Sequence, residues 1–134
     1  MKNLILVGRL IFGAWMLING ANFYFHFYPL PVGHTPLAVQ LMTALIDGHM
    51  LDVAMIIQLV AGALILAGVL VPVALCVVMP ISVCAAFWAV VLERQPTGAA
   101  VALVAVGLNA LLCLAYLDYY KGMLQRRALT VGEA

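Results

Sequence analysis

Charge is what this chain has least of. Six Lys or Arg and five Asp or Glu in 134 residues make 8% of the sequence, whereas 67% is apolar. Soluble domains run at roughly 25% charged and 45–50% apolar, so a water-soluble globule is excluded. The net charge of +1 offers no basic stripe to a phosphate backbone, which sets nucleic acid aside as a partner. Cysteine is scarce as well. Cys76, Cys84 and Cys113 share no Cys-x-x-Cys spacing, lie in apolar runs and are odd in number, so they read as small packing residues rather than a disulfide framework. There is no Ser-His-Asp order, no pair of carboxylates within the apolar runs and no glycine-rich phosphate loop. No histidine follows His49, which excludes a haem held between facing histidines of the later helices.

What the sequence does have is long apolar runs. A hydrocarbon core about 30 Å thick needs about 20 apolar residues per helical crossing, so this length allows four crossings and little else. The expectation is an all-α, integral membrane four-helix bundle forming a single transmembrane domain over residues 1–134, with no internal repeat. Leu4 to Phe25 makes the first crossing; it is too long for a signal peptide, lacks an Ala-x-Ala-like cleavage site and reads as a retained helix. Pro29, Pro31, Gly33 and Pro36 then exclude a continuous helix. Thr35 as N-cap and Pro36 as first helical position start a short amphipathic helix, 36–47. It carries Leu37, Leu41 and Leu45 on one face and closes near Gly48, the pattern of a helix lying in the membrane interface.

Further crossings are expected over 52–71 and 73–92, with the reversal at Val71-Pro72, and a last one over 98–120 that ends in an interfacial tyrosine cluster. The turn at Val71-Pro72 has no charged residue, so its backbone groups need headgroup water or a protein cover. Pro80 should kink the third crossing, with Ser82 or water serving the freed carbonyl. Lys2, Lys121, Arg126 and Arg127 flank one side and Arg94 alone the other. The positive-inside rule then puts both termini in the cytoplasm, in a multi-pass protein of a bacterial inner membrane.

Polar groups within the apolar runs are costly, so their depths are the clues to function. At 1.5 Å per residue, Asn19 and Gln58 both fall about 10 Å from the non-cytoplasmic boundary, and Ser82 and Asn109 both fall near the midplane. Each pair reads as interhelical glue or, for Asn19 and Gln58, as part of a polar pocket opening outward. Arg9 lies at the depth of Asp118; an inward ion pair and an arginine that snorkels alone to the headgroups are both open. His26, His34 and His49 gather with Asp47 and Asp52 around the non-cytoplasmic connection but match no compact ligand motif, and no metal site is assigned. Tyr24, Phe25, Phe27 and Tyr28 form an aromatic cluster at the membrane exit, an interface belt or one wall of a quinone or lipid pocket. Small residues at four-residue spacing, Ala63/Ala67, Ser82/Ala86 and Ala85/Ala89, permit close helix contact inside the bundle or against another membrane subunit.

Several blocks in order resemble the DoxX-like family of small four-helix bacterial membrane proteins. They are Arg9-Leu10-Ile11-Phe12-Gly13, the exit Asn22-Phe23-Tyr24-Phe25-His26-Phe27-Tyr28-Pro29, and the run from Gln58 to Pro72. In that family the second-helix signature opens with glutamate, where this chain has Gln58. The resemblance implies a quinone-linked redox subunit, with Asn19, Asn22, Tyr24, His26 and Gln58 lining the cofactor pocket. The thinning of polar groups points instead to a non-catalytic accessory or scaffold subunit, whose partners are membrane lipids and another integral membrane protein or complex. A small-solute transporter is the weakest reading, since no broken-helix pair marks a midplane site.

Overall fold

A computed structural model of the chain describes residues 2–29, 33–124 and 132. The order of elements is α1 (Lys2–Phe25), α2 (Pro36–Asp47), α3 (Met50–Ala67), α4 (Val71–Phe87, continued as a π-helical turn over Trp88–Glu93), α5 (Pro96–Ala115) and α6 (Leu117–Tyr120), with a final 3-10 turn at Lys121–Leu124. The described residues form an all-α bundle without strands, as the composition requires. In hydrocarbon every backbone N–H and C=O must be paired within the protein, and a helix does this inside each segment for a chain with almost no polar side chains to help. Four helices, Lys2–Phe25, Met50–Ala67, Val71–Glu93 and Pro96–Ala115, are long and apolar enough to cross a membrane, which makes this a multi-pass membrane protein.

The helices pack in a ring. α1 lies along α3, α3 against α4, α4 against α5, and α5 returns to α1. The α1–α3 contact is the most extensive because glycines bring the two backbones together: a Cβ on Gly62 would lie 2.7 Å from the Leu17 backbone nitrogen, and one on Gly20 would lie 3.0 Å from the Met55 carbonyl oxygen. Gly13 meets Ile65 and Leu66 in the same antiparallel register. Phe12 and Met16 of α1, Ala61 and Ile65 of α3, Leu75 and Val78 of α4, and Leu112 of α5 then close an apolar core. This core occupies the half of the bundle near Lys2 and the α3–α4 turn, here termed the terminal end. The buried polar residues, Asn22, Gln58, Ser82, Glu93 and Asn109, lie from the middle toward the opposite, α2 end.

Capping sets the boundaries. The Thr35 side chain accepts from the Ala38 N–H at 3.3 Å, and Pro36 occupies the first turn, so α2 starts where expected. The hairpin between α3 and α4 corrects the expected reversal. α3 stops at Gly68, whose φ of +77° suits glycine, with Gly68 N–H bonding the Ile65 carbonyl at 3.3 Å and Val69 N–H the Leu64 carbonyl at 3.0 Å. Pro72 therefore belongs to the first turn of α4 rather than to the reversal, where its missing N–H is no loss. The last crossing also ends early. α5 breaks at Tyr116 (φ −103°, ψ 22°) and the chain re-forms as the short α6. Pro80 sits inside α4 without ending it. Arg126 and Arg127, used above to orient the chain, lie outside the described residues.

Candidate functional site

The polar side chains gather in four places. The first is the exit of α1. Asn22, 1% exposed, accepts through Oδ1 from the Tyr28 N–H at 2.8 Å, while its carbonyl accepts from the His26 N–H at 2.8 Å. His26 adopts the left-handed conformation (φ 55°), which turns the chain sharply back at the end of the helix. Asn19 Oδ1 accepts from the Tyr28 hydroxyl. Two asparagines thus hold one tyrosine, and with it the start of the connection.

Asn19 does not meet Gln58, contrary to the pairing expected from equal depth. Gln58 is buried on the stripe Gln58, Ala61, Gly62, Ile65 of α3, and its Oε1 has no hydrogen-bond partner among the described residues. Matching depth brings two helical positions level but leaves their azimuths free; Asn19 turns to Tyr28 instead. Tyr24 and His26 stand exposed. Of the five residues of the expected quinone pocket, Asn19 and Asn22 share Tyr28, Tyr24 and His26 are exposed, and Gln58 is buried on α3.

The second place is the middle of the bundle. Asn109, fully buried on α5, donates through Nδ2 to Ser82 Oγ of α4 at 3.2 Å, and its Oδ1 accepts from the Cys113 thiol at 3.6 Å. Ser82 is thus engaged across the helix pair, and among the described residues no side-chain bond serves the carbonyl freed by Pro80.

The third place joins α2 to the end of α4. Glu93 is buried and accepts from the His34 N–H at 2.6 Å and from the His34 ring Nδ1. The Thr35 hydroxyl donates to the Leu92 carbonyl at 2.6 Å, and Trp88 Nε1–H donates to the Ala38 carbonyl at 3.0 Å. Gln95 Nε2 lies 3.1 Å from His34 Nδ1. These bonds bolt the start of the interfacial helix onto the π-helical turn. The widened turn, closed by Arg94 N–H on the Ala89 carbonyl at 3.0 Å, is what brings Trp88 and Glu93 to bear on α2.

The crossing expected over 73–92 stops one residue short of Glu93, so the latch lies beyond the expected helix. A signal was present: the buried positions of α4 run Val71, Ala74, Leu75, Val78, Ser82, Ala86, Ala89, and four residues further comes Glu93. The histidines go separate ways. His34 belongs to the latch, His49 Nδ1 pairs with Asp52 Oδ2 at 2.9 Å within the first turn of α3, and His26 ends α1.

The fourth place is the terminal end. Arg9 does not pair with Asp118, because Asp118 sits outward beside Lys121, 2.7 Å away on the next turn of chain. That lysine holds the Asp118 carboxyl below its ordinary value by hydrogen bond and by charge. Arg9 instead lays its guanidinium on Gly68, where an added Cβ would lie 3.3 Å from both Nη atoms. The uncharged hairpin turn is thus covered by an arginine from α1, at the carbonyl end of α3 where a cation is stabilising. The Tyr120 hydroxyl donates to the Pro72 carbonyl and ties α6 to the same turn. Between them runs a cleft of about 600 Å³.

The fold and these contacts define a class: a multi-pass, all-α membrane bundle of four crossing helices with an interfacial helix latched to its α2 end. No protein-family model, no curated protein and no solved structure matches the chain.

Proposed function

We propose that the protein is a non-catalytic accessory or scaffold subunit of a larger membrane complex, in a bacterial inner membrane with both termini cytoplasmic. The observation that carries this reading is the placement of the small residues. Ser82, Ala86 and Ala89 turn inward, whereas Ala63 and Ala67, one turn apart on α3, both lie on its exposed side. Hydrocarbon tails gain nothing from alanine there, but a second helix gains close approach of backbones. The polar side chains support the same reading, since Asn19, Asn22, Ser82, Asn109, Trp88 and Glu93 are engaged in holding this chain's own elements together.

The test is in-membrane photocrosslinking from a benzoyl-phenylalanine placed at Ala63 in the native host. The reading expects one discrete adduct with another integral membrane protein, absent when the probe is moved to Val104 on the exposed side of α5. Adducts with lipid alone at both positions would count against it.

A quinone-linked redox subunit of the DoxX-like kind is the second reading. One observation favours it: the Gln58 Oε1 is a buried acceptor without a donor among the described residues, and the hydroxyl of a reduced quinone is such a donor. Quinone co-purifying with the wild-type protein, and lost in Gln58→Leu, would establish that reading over the first.

A further inference from the structure

The cleft at the terminal end has the chemistry of an anion site with no anion-bearing wall. Its charged member is Arg9, which is half-buried and whose Nε is fully buried with no hydrogen-bond partner among the described residues. Among the described residues no acidic side chain lines the cleft, and Asp118, beside the lining tyrosines in sequence, is held outward by Lys121. Among the described residues this cation has no counter-charge. Guanidinium is also the side chain whose planar fork matches phosphate oxygens two at a time.

Depth identifies where that phosphate comes from. Arg9 lies level with the Gly68–Leu70 turn, where backbone leaves the helical pattern and must meet water or headgroups. At the same level α5 breaks at Tyr116, and Tyr116, Tyr119 and Tyr120 line the cleft, as tyrosines do at the interface of a bilayer. The rest of the wall is apolar, with Leu70, Val73 and Val77 running from the turn along α4 toward the hydrocarbon. Both Leu70 and Val73 are exposed to whatever occupies the cleft.

We propose that this cleft is a binding site for an anionic phospholipid. The Arg9 guanidinium receives the headgroup phosphate above the α3–α4 turn, and the Val73–Val77 face of α4 receives an acyl chain. Phosphate oxygens would meet the Nη side of the guanidinium, where the described residues supply no side-chain acceptor. The inference stands apart from the proposed accessory role, since a lone bundle and a subunit would hold the lipid equally well.

The test is native mass spectrometry of the delipidated protein in detergent. Phosphatidylglycerol, phosphatidylcholine with the same acyl chains, and inorganic phosphate are each added to the wild type, Arg9→Gln, Arg9→Lys and Val73→Trp. The site predicts one phosphatidylglycerol retained about tenfold more tightly than phosphatidylcholine, as a charge-assisted bidentate contact warrants. Arg9→Gln should abolish that preference, and Arg9→Lys should keep part of it. Val73→Trp, at an exposed position that leaves the arginine intact, should lower retention of both lipids by filling the apolar half. Equal retention of the two lipids by the wild type would overturn the proposal. So would unchanged selectivity in Arg9→Gln, or saturable binding of inorganic phosphate that displaces the lipid, which would make this a free-anion site. If Arg9→Gln fails to fold, wild-type selectivity and the Val73→Trp variant decide the matter.

Discussion

Replacing Gly62 by alanine tests the α1–α3 contact at its tightest point. The new methyl would lie 2.7 Å from the Leu17 backbone nitrogen and 3.0 Å from the Gly13 carbonyl oxygen. Real contacts of a Cβ do not come that close, and both neighbours are backbone, so no side chain can swing aside; the helices must move apart or slide. Separation also loosens the contacts of Gly13 and Gly20 along the same seam. Overpacking of this kind destabilises by about 1–3 kcal/mol. The matched control is Gly107→Ala on α5, where nothing lies within 4 Å of the added methyl. Removing a glycine from an exposed helix interior there should be neutral or stabilise by about 0.5–1 kcal/mol. The assay is reversible unfolding in bicelles, by steric trapping or by titration with a denaturing detergent, with helicity followed by circular dichroism. If Gly62→Ala proves as stable as Gly107→Ala, the two helices do not meet at these glycines and the ring arrangement is wrong.

Other perturbations separate the polar contacts by their depth and partners. Asn109→Leu and Ser82→Ala should each destabilise by about 0.6 kcal/mol, and by no more than about 1.7, with the double variant no worse than the poorer single one, since both remove the same interhelical bond. Trp88→Phe keeps an aromatic side chain but loses the indole N–H bonded to the Ala38 carbonyl, with some ring volume; it should cost at least about 0.5–1.5 kcal/mol in bicelle unfolding. Glu93→Gln should raise hydrogen–deuterium exchange across Pro36–Asp47 while leaving Met50–Ala67 protected, and equal exchange in both segments would argue against a latch. Asp118→Asn should leave thermal stability unchanged. Its lowered carboxyl value means the pair with Lys121 contributes above the unfolded carboxylate range and fades as pH falls through the folded value, but both groups stand in water, where such pairs contribute little.

Much of this architecture was readable from periodicity and punctuation. The run lengths give four crossings, and Thr35, Pro36 and Gly48 bracket the interfacial helix, because caps and breakers act locally and leave their mark in single residues. Depth arithmetic brings Ser82 and Asn109 level, and both happen to face the shared seam. It fails for Asn19 with Gln58 and for Arg9 with Asp118, because rise along a helix carries no information on which way a side chain points. Tyr28, ten residues or fewer from both Asn19 and Asn22, captures those amides through a turn that composition does not announce. Pro72 misleads for a different reason: proline is as much at home in a first helical turn as in a reversal, and Gly68 with its positive φ was the truer stop signal. The latch is harder to see because Glu93 adjoins the polar Arg94 and Gln95, which mask that it continues the four-residue rhythm of the helix before it. The interplay of Arg9 with the α3–α4 turn needed the tertiary fold, since it joins residues nearly 60 positions apart.

The proposed role makes this bundle part of a larger membrane assembly. Native mass spectrometry of the protein extracted gently from its own membrane, with quinone analysis of the same sample, tests it most directly. The expected result is a stoichiometric complex with another integral membrane protein, weakened when Ala63 and Ala67 are both replaced by leucine. A lone bundle carrying quinone, indifferent to those two substitutions, would contradict it.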